Sequence, residues 1–272
     1  MRATLLIPAL AAALLSLTAC DIEDFHDGGT RYNRDFHYNY PLAASGRLSV
    51  ETFNGAIEVS GWDENTVDIS GTKYARSQAA ADDLQVTIDH SANSVAVRVI
   101  RPTESQGNTG ARFVIKVPRG AILDRLVSSN GSIRTLDGAG PSRFKTSNGA
   151  IRVQGLKGTL EAQTSNGGIT ADLTSGDGPV RLDTSNGAID VRLPSKFEDD
   201  VRAHTSNGGI TVRVPQDINA RLTARTSNGR VTSDVDVRTS GEISKTRLEG
   251  VLGAGGPLLD LSTSNGGIRI AR

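Results

Sequence analysis

Counted from each asparagine of a recurring Thr-Ser-Asn-Gly tetrapeptide, the chain alternates inward and outward positions with a period of two. Two and four residues before the asparagine stand Thr164 and Ala162, Thr184 and Leu182, Thr205 and Ala203, Thr226 and Ala224, and Thr263 and Leu261. Three and five residues after it stand Ile151 and Val153, Ile169 and Ala171, Ile189 and Val191, Ile210 and Val212, and Ile268 and Ile270. Between them lie Gln163, Asp183, His204 and Arg225 on one side of the motif, and Arg152, Thr170, Asp190, Thr211 and Arg269 on the other. This pattern predicts strands with one buried and one solvated face. The buried parity is even before Asn-Gly and odd after it, so the dipeptide absorbs one step of the pleat. A corner between two strands of a solenoid coil fits that step. A two-residue hairpin fits it equally, since Asn-Gly is the strongest short hairpin signal.

The motif is intact at Thr146, Thr164, Thr184, Thr205, Thr226 and Thr263, with imperfect copies at Thr52 and Ser128. From Asn130 the asparagines return at 148, 166, 186, 207 and 228, a step of 18 to 21 residues that marks a repeat architecture. Burial favours the solenoid, because a flat meander would expose its whole apolar face and one short helix could not cover it. The expected fold is therefore all-β, a parallel β-solenoid of 18–21-residue coils with one short helix near the N-terminal part. Coils about 4.8 Å apart would stack each corner asparagine on the next as an amide ladder. The corners are Asn54, Asn130, Asn148, Asn166, Asn186, Asn207, Asn228 and Asn265. Each inward Leu, Ile or Val contributes roughly 1.5–3 kcal/mol on burial, and about ten coils give a rod on the order of 50 Å long.

Before the regular repeats, strand patterns occur at Arg47–Val50, Ala56–Ser60, Thr66–Ser70, Ser94–Ile100 and Arg112–Val117. Ala79, Ala80, Ala81 and Leu84 predict the helix, with Ser77 as its cap and Asp82 and Asp83 in its first turns. Residues 102–110 read as a surface loop. The aromatics Phe36, Tyr38 and Tyr40 alternate as in an edge strand. With Phe53, Trp62 and Tyr74 they concentrate bulk at this end, which predicts a cap over the open core in preference to a ligand platform. The glycine-rich segment Leu248–Pro257, before the last repeat, predicts a C-terminal cap. It lacks the Gly-Lys-Ser/Thr of a phosphate loop.

The N-terminus changes the address. Arg2 precedes an apolar run from Leu5 to Leu17, too short to span a bilayer, and Leu17-Thr18-Ala19-Cys20 resembles the bacterial lipobox. Residues 1–19 then form a lipoprotein signal peptide, 20–44 a lipidated tether at Cys20 with the first strand, and 45–272 the solenoid. The membrane is the partner of that lipid, whose two acyl chains suffice for stable anchoring. Asp21 beside the cysteine leaves inner and outer membrane both open. Cys20 is the only cysteine, which excludes an intrachain disulfide and any thiolate metal cluster. With 30 basic and 30 acidic residues the chain has no field to draw nucleic acid.

Several stretches together carry a family resemblance: Val50-Glu51-Thr52-Phe53-Asn54-Gly55 with Trp62 following, Tyr74-Ala75-Arg76 before the helix, Val117-Pro118-Arg119-Gly120, the Thr-Ser-Asn-Gly series, and Gly255-Gly256-Pro257. Over residues 45–272 the chain resembles the bacterial putative-adhesin domain family, a domain of unknown function in exported and membrane-attached proteins. The resemblance implies a β-solenoid of the cell envelope, facing periplasm or exterior, with adhesion as its role and no catalytic residues to transfer. It also implies a rival role as an accessory or sensor protein in envelope-stress signalling.

Candidate chemistry is sparse, and neither catalytic residues, a metal nor a cofactor is assigned. Asp183 and Asp190 flank one corner and are the closest approach to the acid–base pair of a polysaccharide-cleaving β-helix; scattered solvated side chains are the plainer reading. His26 and His37 lie near Asp24, Asp27 and Asp35 without the spacing of a structural zinc site. His90 and His204 are isolated, and Gly176-Asp177-Gly178 occurs once, without the period of a calcium-binding repeat. The columns of Ser and Asn are a better surface, able to meet an envelope glycan or a protein by hydrogen bonds. The same asparagines would equally serve only to satisfy the corners.

Overall fold

The computed structural model describes residues 32–101, 108–239 and 244–272. The fold is an all-β solenoid built from two parallel ladders whose buried faces share one core. Each regular coil supplies a strand that ends at the corner asparagine and a second that begins three residues later, as in Leu160–Asn166 and Ile169–Leu173. The two strands of a coil join different ladders, each pairing in register with the equivalent strand of the neighbouring coil. The Asn-Gly step is thus a corner and not a hairpin.

The inward positions are buried, except in the Asn228 coil, where Val231 and Ser233 are half-buried. The isoleucines Ile57, Ile133, Ile151, Ile169, Ile189, Ile210 and Ile268 stack in one column of the second ladder. The period grows from 18 to 21 residues at the far side of the coil, where Lys157 and Leu160 are separated by a tight turn but Leu173–Val180, Arg192–Val201 and Arg213–Ala220 are joined by longer segments. The corner itself keeps its geometry throughout.

The order of coils in space differs from their order in sequence at both ends. The first coil, Arg47–Asn54 with Ile57–Trp62, lies between Ser94–Ile100 with Gly110–Pro118 on one side and Ile122–Asn130 with Ile133–Ala139 on the other. The last coil, Leu258–Asn265 with Ile268–Ala271, is inserted between the Asn207 coil and the Asn228 coil. Each terminal coil is therefore stitched one place inward. The expectation that Asn228 follows Asn207 in the ladder is corrected accordingly.

Packing explains the insertion. Four residues before each asparagine, the spatial row reads Ala162, Leu182, Ala203, Leu261, Ala224, all buried and in register. Large and small side chains alternate, as a filled core requires. In sequence order Ala203 would face Ala224 and leave a void.

Antiparallel strands close the ends. At the N-terminal end Gln85–Ser91 pairs with Ser94–Ile100, Thr66–Ala75 with Gly110–Pro118, and Tyr32–Pro41 with Thr66–Ala75 as an edge strand. Phe36 meets Phe113 edge-on at 5.7 Å and Tyr40 stacks on His90 at 3.9 Å, so the predicted aromatic cap forms across the two ladders. The helix is Gln78–Asp83, with the Ser77 hydroxyl accepting from the Ala80 N–H at 3.2 Å. Asp82 and Asp83 stand in its last turn and not its first, because the buried Leu84 already turns the chain into the next strand. At the other end Arg247–Leu252 caps Ala220–Asn228, placing the expected C-terminal cap outside the inserted coil. The signal peptide, Cys20 and the tether lie outside the described residues.

Candidate functional site

The corner motif assigns a separate task to each of its four residues. The asparagines form one continuous side-chain ladder in which each Nδ2 donates to the Oδ1 of its neighbour: Asn130 to Asn54 at 2.6 Å, Asn148 to Asn130 at 2.7 Å, Asn166 to Asn148 at 2.8 Å, Asn186 to Asn166 at 2.9 Å and Asn207 to Asn186 at 3.0 Å. Asn265 then donates to Asn207 at 2.9 Å and Asn228 to Asn265 at 3.0 Å, which carries the ladder through the inserted coil. At the start, Asn54 donates to the Thr109 carbonyl at 2.9 Å. All eight predicted corners are brought together.

A second, buried ladder was not foreseen. The hydroxyls of Thr146, Thr164, Thr184 and Thr205 each donate at 2.9 Å to a glycine carbonyl of the preceding coil: Gly131, Gly149, Gly167 and Gly187. Thr263 and Thr226 do the same to Gly208 and Gly266. The polar residue among apolar neighbours was the signal: a buried hydroxyl needs a partner. The glycine follows from the same geometry. A Cβ on Gly187 would lie 2.0 Å from the Gly167 carbonyl oxygen, and one on Gly208 2.1 Å from that of Gly187. Close approach of successive backbones, not a left-handed φ, dictates glycine at these two positions.

The serine is left over. Ser147, Ser165, Ser185 and Ser227 are exposed beside the amide ladder, and their hydroxyls make no hydrogen bond among the described residues. Ser147, Ser165 and Ser185 follow one another at the coil spacing of about 4.8 Å, and Ser227 lies three coils beyond Ser185, past the half-buried Ser206 and Ser264.

Farther along the outer face of the first ladder, out-of-order stacking creates a groove. Asp183, His204 and Ser262 stand in one row on three adjacent strands, with Arg181, Arg202 and Asp260 filling the row beside it. These six side chains line a depression of about 230 Å³. His204 Nδ1 lies 2.9 Å from Ser262 Oγ, and Asp183 accepts from Arg181 Nε at 2.7 Å. Asp260 Oδ1 is buried without a hydrogen bond, 3.7 Å from Arg225 Nη2. Arg181 and Arg202 also border an adjoining depression of about 340 Å³ with Glu161, Pro179 and Asp200. Arg181, Arg202, Asp260 and Ser262 had not been picked out as neighbours, because Asp260 and Ser262 come from the inserted coil.

The remaining candidates resolve individually. Asp183 and Asp190 lie on strands of opposite ladders, and each is paired with an arginine of its own face, Arg181 and Arg213 respectively. Asp35 accepts from the Thr72 hydroxyl at 2.7 Å, and His37 Nε2 lies 2.6 Å from Asp68. Burial pushes the Asp68 carboxyl up, but the hydrogen bond and charge of His37, with Asn39 and Lys116, outweigh it and hold it below the usual carboxylate value. His26, Asp24 and Asp27 lie outside the described residues. His90 serves the aromatic cap. Among the described residues no three His, Cys, Asp or Glu side chains are grouped to hold a metal, and no helix is long and apolar enough to cross a membrane.

Ion pairs of both signs cover the outer faces. Glu51–Arg125, Arg143–Glu161 and Arg134–Glu58 bridge neighbouring strands at 2.7–3.0 Å, and Arg119 joins Asp63 and Asp137, each at 2.7 Å. The hydrogen bond and charge of Arg119 hold the exposed Asp63 carboxyl below its ordinary value. Such pairs contribute little stability each, but they leave a surface polar and locally neutral.

No curated protein matches the chain in sequence. Among solved structures, it is similar to a putative cell adhesion protein from Clostridium sporogenes ATCC 15579, at 12% identity over 87% of this chain and 99% of that one, with a TM-score of 0.37. It is also similar to a putative adhesin from Bacteroides fragilis NCTC 9343, at 11% identity over 87% of this chain and 97% of that one, with a TM-score of 0.33. Residues 139–244, which run from the end of the Asn130 coil through the Asn228 coil, match the family described as Toastrack DUF4097.

Proposed function

We propose that the protein is a non-catalytic binding rod of the cell envelope, held to a membrane through lipid on Cys20, that engages a glycan or protein partner through its repetitive polar face. The observation that carries this reading is the exposed serine column. The fold uses Thr, Asn and Gly of every motif for its own hydrogen bonds and close contacts, whereas the Ser hydroxyls are spent on nothing internal. A regular file of free hydroxyls beside amides and paired charges suits a hydroxyl-rich, extended ligand better than a compact metabolite.

The test is co-sedimentation with isolated cell-wall glycan, comparing wild type with a variant carrying Ser147→Asp, Ser165→Asp and Ser185→Asp. Wild-type sedimentation that the variant loses, at unchanged melting temperature, supports the reading. Equal sedimentation, or none by the wild type, counts against this face as a glycan surface. Labelling with a fatty-acid probe, dependent on Cys20, tests the anchor. Crosslinking in the native cells to a membrane regulator, with no glycan bound, would instead support the role in envelope-stress signalling.

A further inference from the structure

The slot between the Asn207 and Asn228 coils is filled by a coil that arrives last in the chain. Leu258–Asn265 takes the full ladder on both sides, parallel to Val201–Asn207 and to Ala220–Asn228. Its second strand does the same between Ile210–Arg213 and Val231–Ser233. The ladder contacts that hold it are of a repeated kind: an amide pair on each side, a threonine hydroxyl donated to a glycine carbonyl on each side, and Leu261 between two alanines. Its particular contacts are His204–Ser262, Arg225–Asp260, Arg269–Asp234 and the Leu258 N–H to Asp200 Oδ1. Nothing in those contacts depends on which chain the coil belongs to.

The connection into the slot is short and built to bend. Arg247–Leu252 lies on one side of Ala220–Asn228 and the inserted strand on the other, so residues 253–257 cross over the start of the intervening strand. Gly253, Gly255 and Gly256 have φ of 56°, 85° and 156°, values that only glycine adopts readily. Among the described residues the crossing is held by five hydrogen bonds: Ala254 N–H to Asn219 Oδ1 at 2.6 Å, Gly255 N–H to the Leu252 carbonyl at 3.0 Å, Arg221 N–H to the Pro257 carbonyl at 2.9 Å, Arg221 Nε to the Gly256 carbonyl at 3.1 Å, and Arg238 to the Gly253 carbonyl. An empty slot would not be stranded either. The Asn207 and Asn228 corners are 21 residues apart in sequence, the same step as Asn186 to Asn207, so the two flanking coils can close on one another until a coil arrives, at the cost of the void between Ala203 and Ala224 that the arriving Leu261 fills.

We propose that this slot is an interaction site for the C-terminal coil of a second copy of this chain, so that two copies exchange coils reciprocally through the Gly253–Pro257 hinge. Exchange preserves all ladder contacts and costs only the order of the hinge, the general basis of domain swapping. It joins two rods at their C-terminal ends and leaves the serine columns of both exposed. A paired rod of this kind presents two binding faces, and a repetitive ligand would be held with the gain of multivalency.

The experiment uses two full-length chains with Cys20→Ser, one carrying His204→Cys and the other, marked by a mass tag, carrying Ser262→Cys. Both positions are on the outer face of neighbouring strands, with side-chain atoms 2.9 Å apart in the parent. The two are refolded together over a range of concentrations and oxidised. Exchange predicts disulfide-linked heterodimers at least fivefold more abundant than either homodimer, with a share that rises with concentration during refolding. With equal amounts of the two chains, heterodimers that stay at or below the twofold excess over either homodimer given by random collision of exposed thiols, at every concentration, would overturn the proposal.

Discussion

Leu261→Ala is the substitution on which the architecture makes its sharpest quantitative commitment. Leu261 has no solvent exposure and sits between Ala203 and Ala224 in the row that alternates alanine and leucine. Removing its isobutyl group places three alanines side by side. The surrounding backbones are pinned at ladder spacing by hydrogen bonds on both sides, so the void collapses poorly, and the cost falls in the upper part of the 2–5 kcal/mol range, about 3–5 kcal/mol. Were the coils stacked in sequence order, Leu261 would belong to the terminal coil with one side open, and truncation would cost roughly 1 kcal/mol. Equilibrium urea denaturation gives the difference. Amide exchange should show the Asn228 coil opening with the inserted one, because its ladder partner is lost. A cost of about 1 kcal/mol or less, with the Asn228 coil still protected, refutes the reasoning. Leu261→Met, which conserves volume, should cost less than about 1.5 kcal/mol.

The same logic extends to the motif and the cap. Thr184→Val keeps the shape but leaves the Gly167 carbonyl without its hydroxyl donor, and should lower stability by about 1–3 kcal/mol in urea titration; a neutral result would make the threonine ladder incidental. Gly187→Ala drives a Cβ into the Gly167 carbonyl and should cost about 3 kcal/mol, read as a lowered melting temperature. Ile189→Asp buries an unpaired charge in the isoleucine column and should unfold several coils, seen as lost strand signal in circular dichroism, whereas near-native melting would contradict the inward assignment. Because the folded Asp68 carboxyl titrates below its unfolded value of 3.8, its contribution is fully present above that value and is lost as the pH falls through the folded one. Stability profiles of wild type and Asp68→Asn should therefore converge in acid and separate near neutrality; profiles that stay parallel would remove His37–Asp68 from the cap's energetics.

How much of this could be read in the chain depends on whether the cause was local. The parity switch at Asn-Gly, the inward threonines and isoleucines and the asparagine column follow from alternation within single coils, and each reappears in the structure at the expected residue. The helix was legible through its cap, although its length was set by the burial of Leu84 and not by propensity. Coil order was not legible from the period, because a coil carrying Thr-Ser-Asn-Gly fits beside any other. The information lay in side-chain volume: Ala203 and Ala224 fall next to each other in sequence order and call for a large residue between them, which Leu261 supplies. The groove of Arg181, Arg202, His204, Asp260 and Ser262 was illegible for the same reason, since Ser262 stands 58 residues from its neighbour His204 in sequence and Asp260 shares the coil of Ser262. The threonine's partner was hidden because it is a backbone carbonyl of another coil.

The inserted C-terminal coil is the centre of the account, and cysteine pairs in the row five residues before the corner test it most directly. Arg202, Asp260 and Thr223 occupy that row on successive strands in the order 202, 260, 223. In chains with Cys20→Ser, dilute oxidation should form intrachain disulfides in Arg202→Cys with Asp260→Cys and in Thr223→Cys with Asp260→Cys, where the strands are about 4.8 Å apart. Arg202→Cys with Thr223→Cys spans two coils, beyond the roughly 7 Å reach of a disulfide, and should stay reduced. A disulfide between 202 and 223, with 260 unreactive toward both, would contradict the insertion.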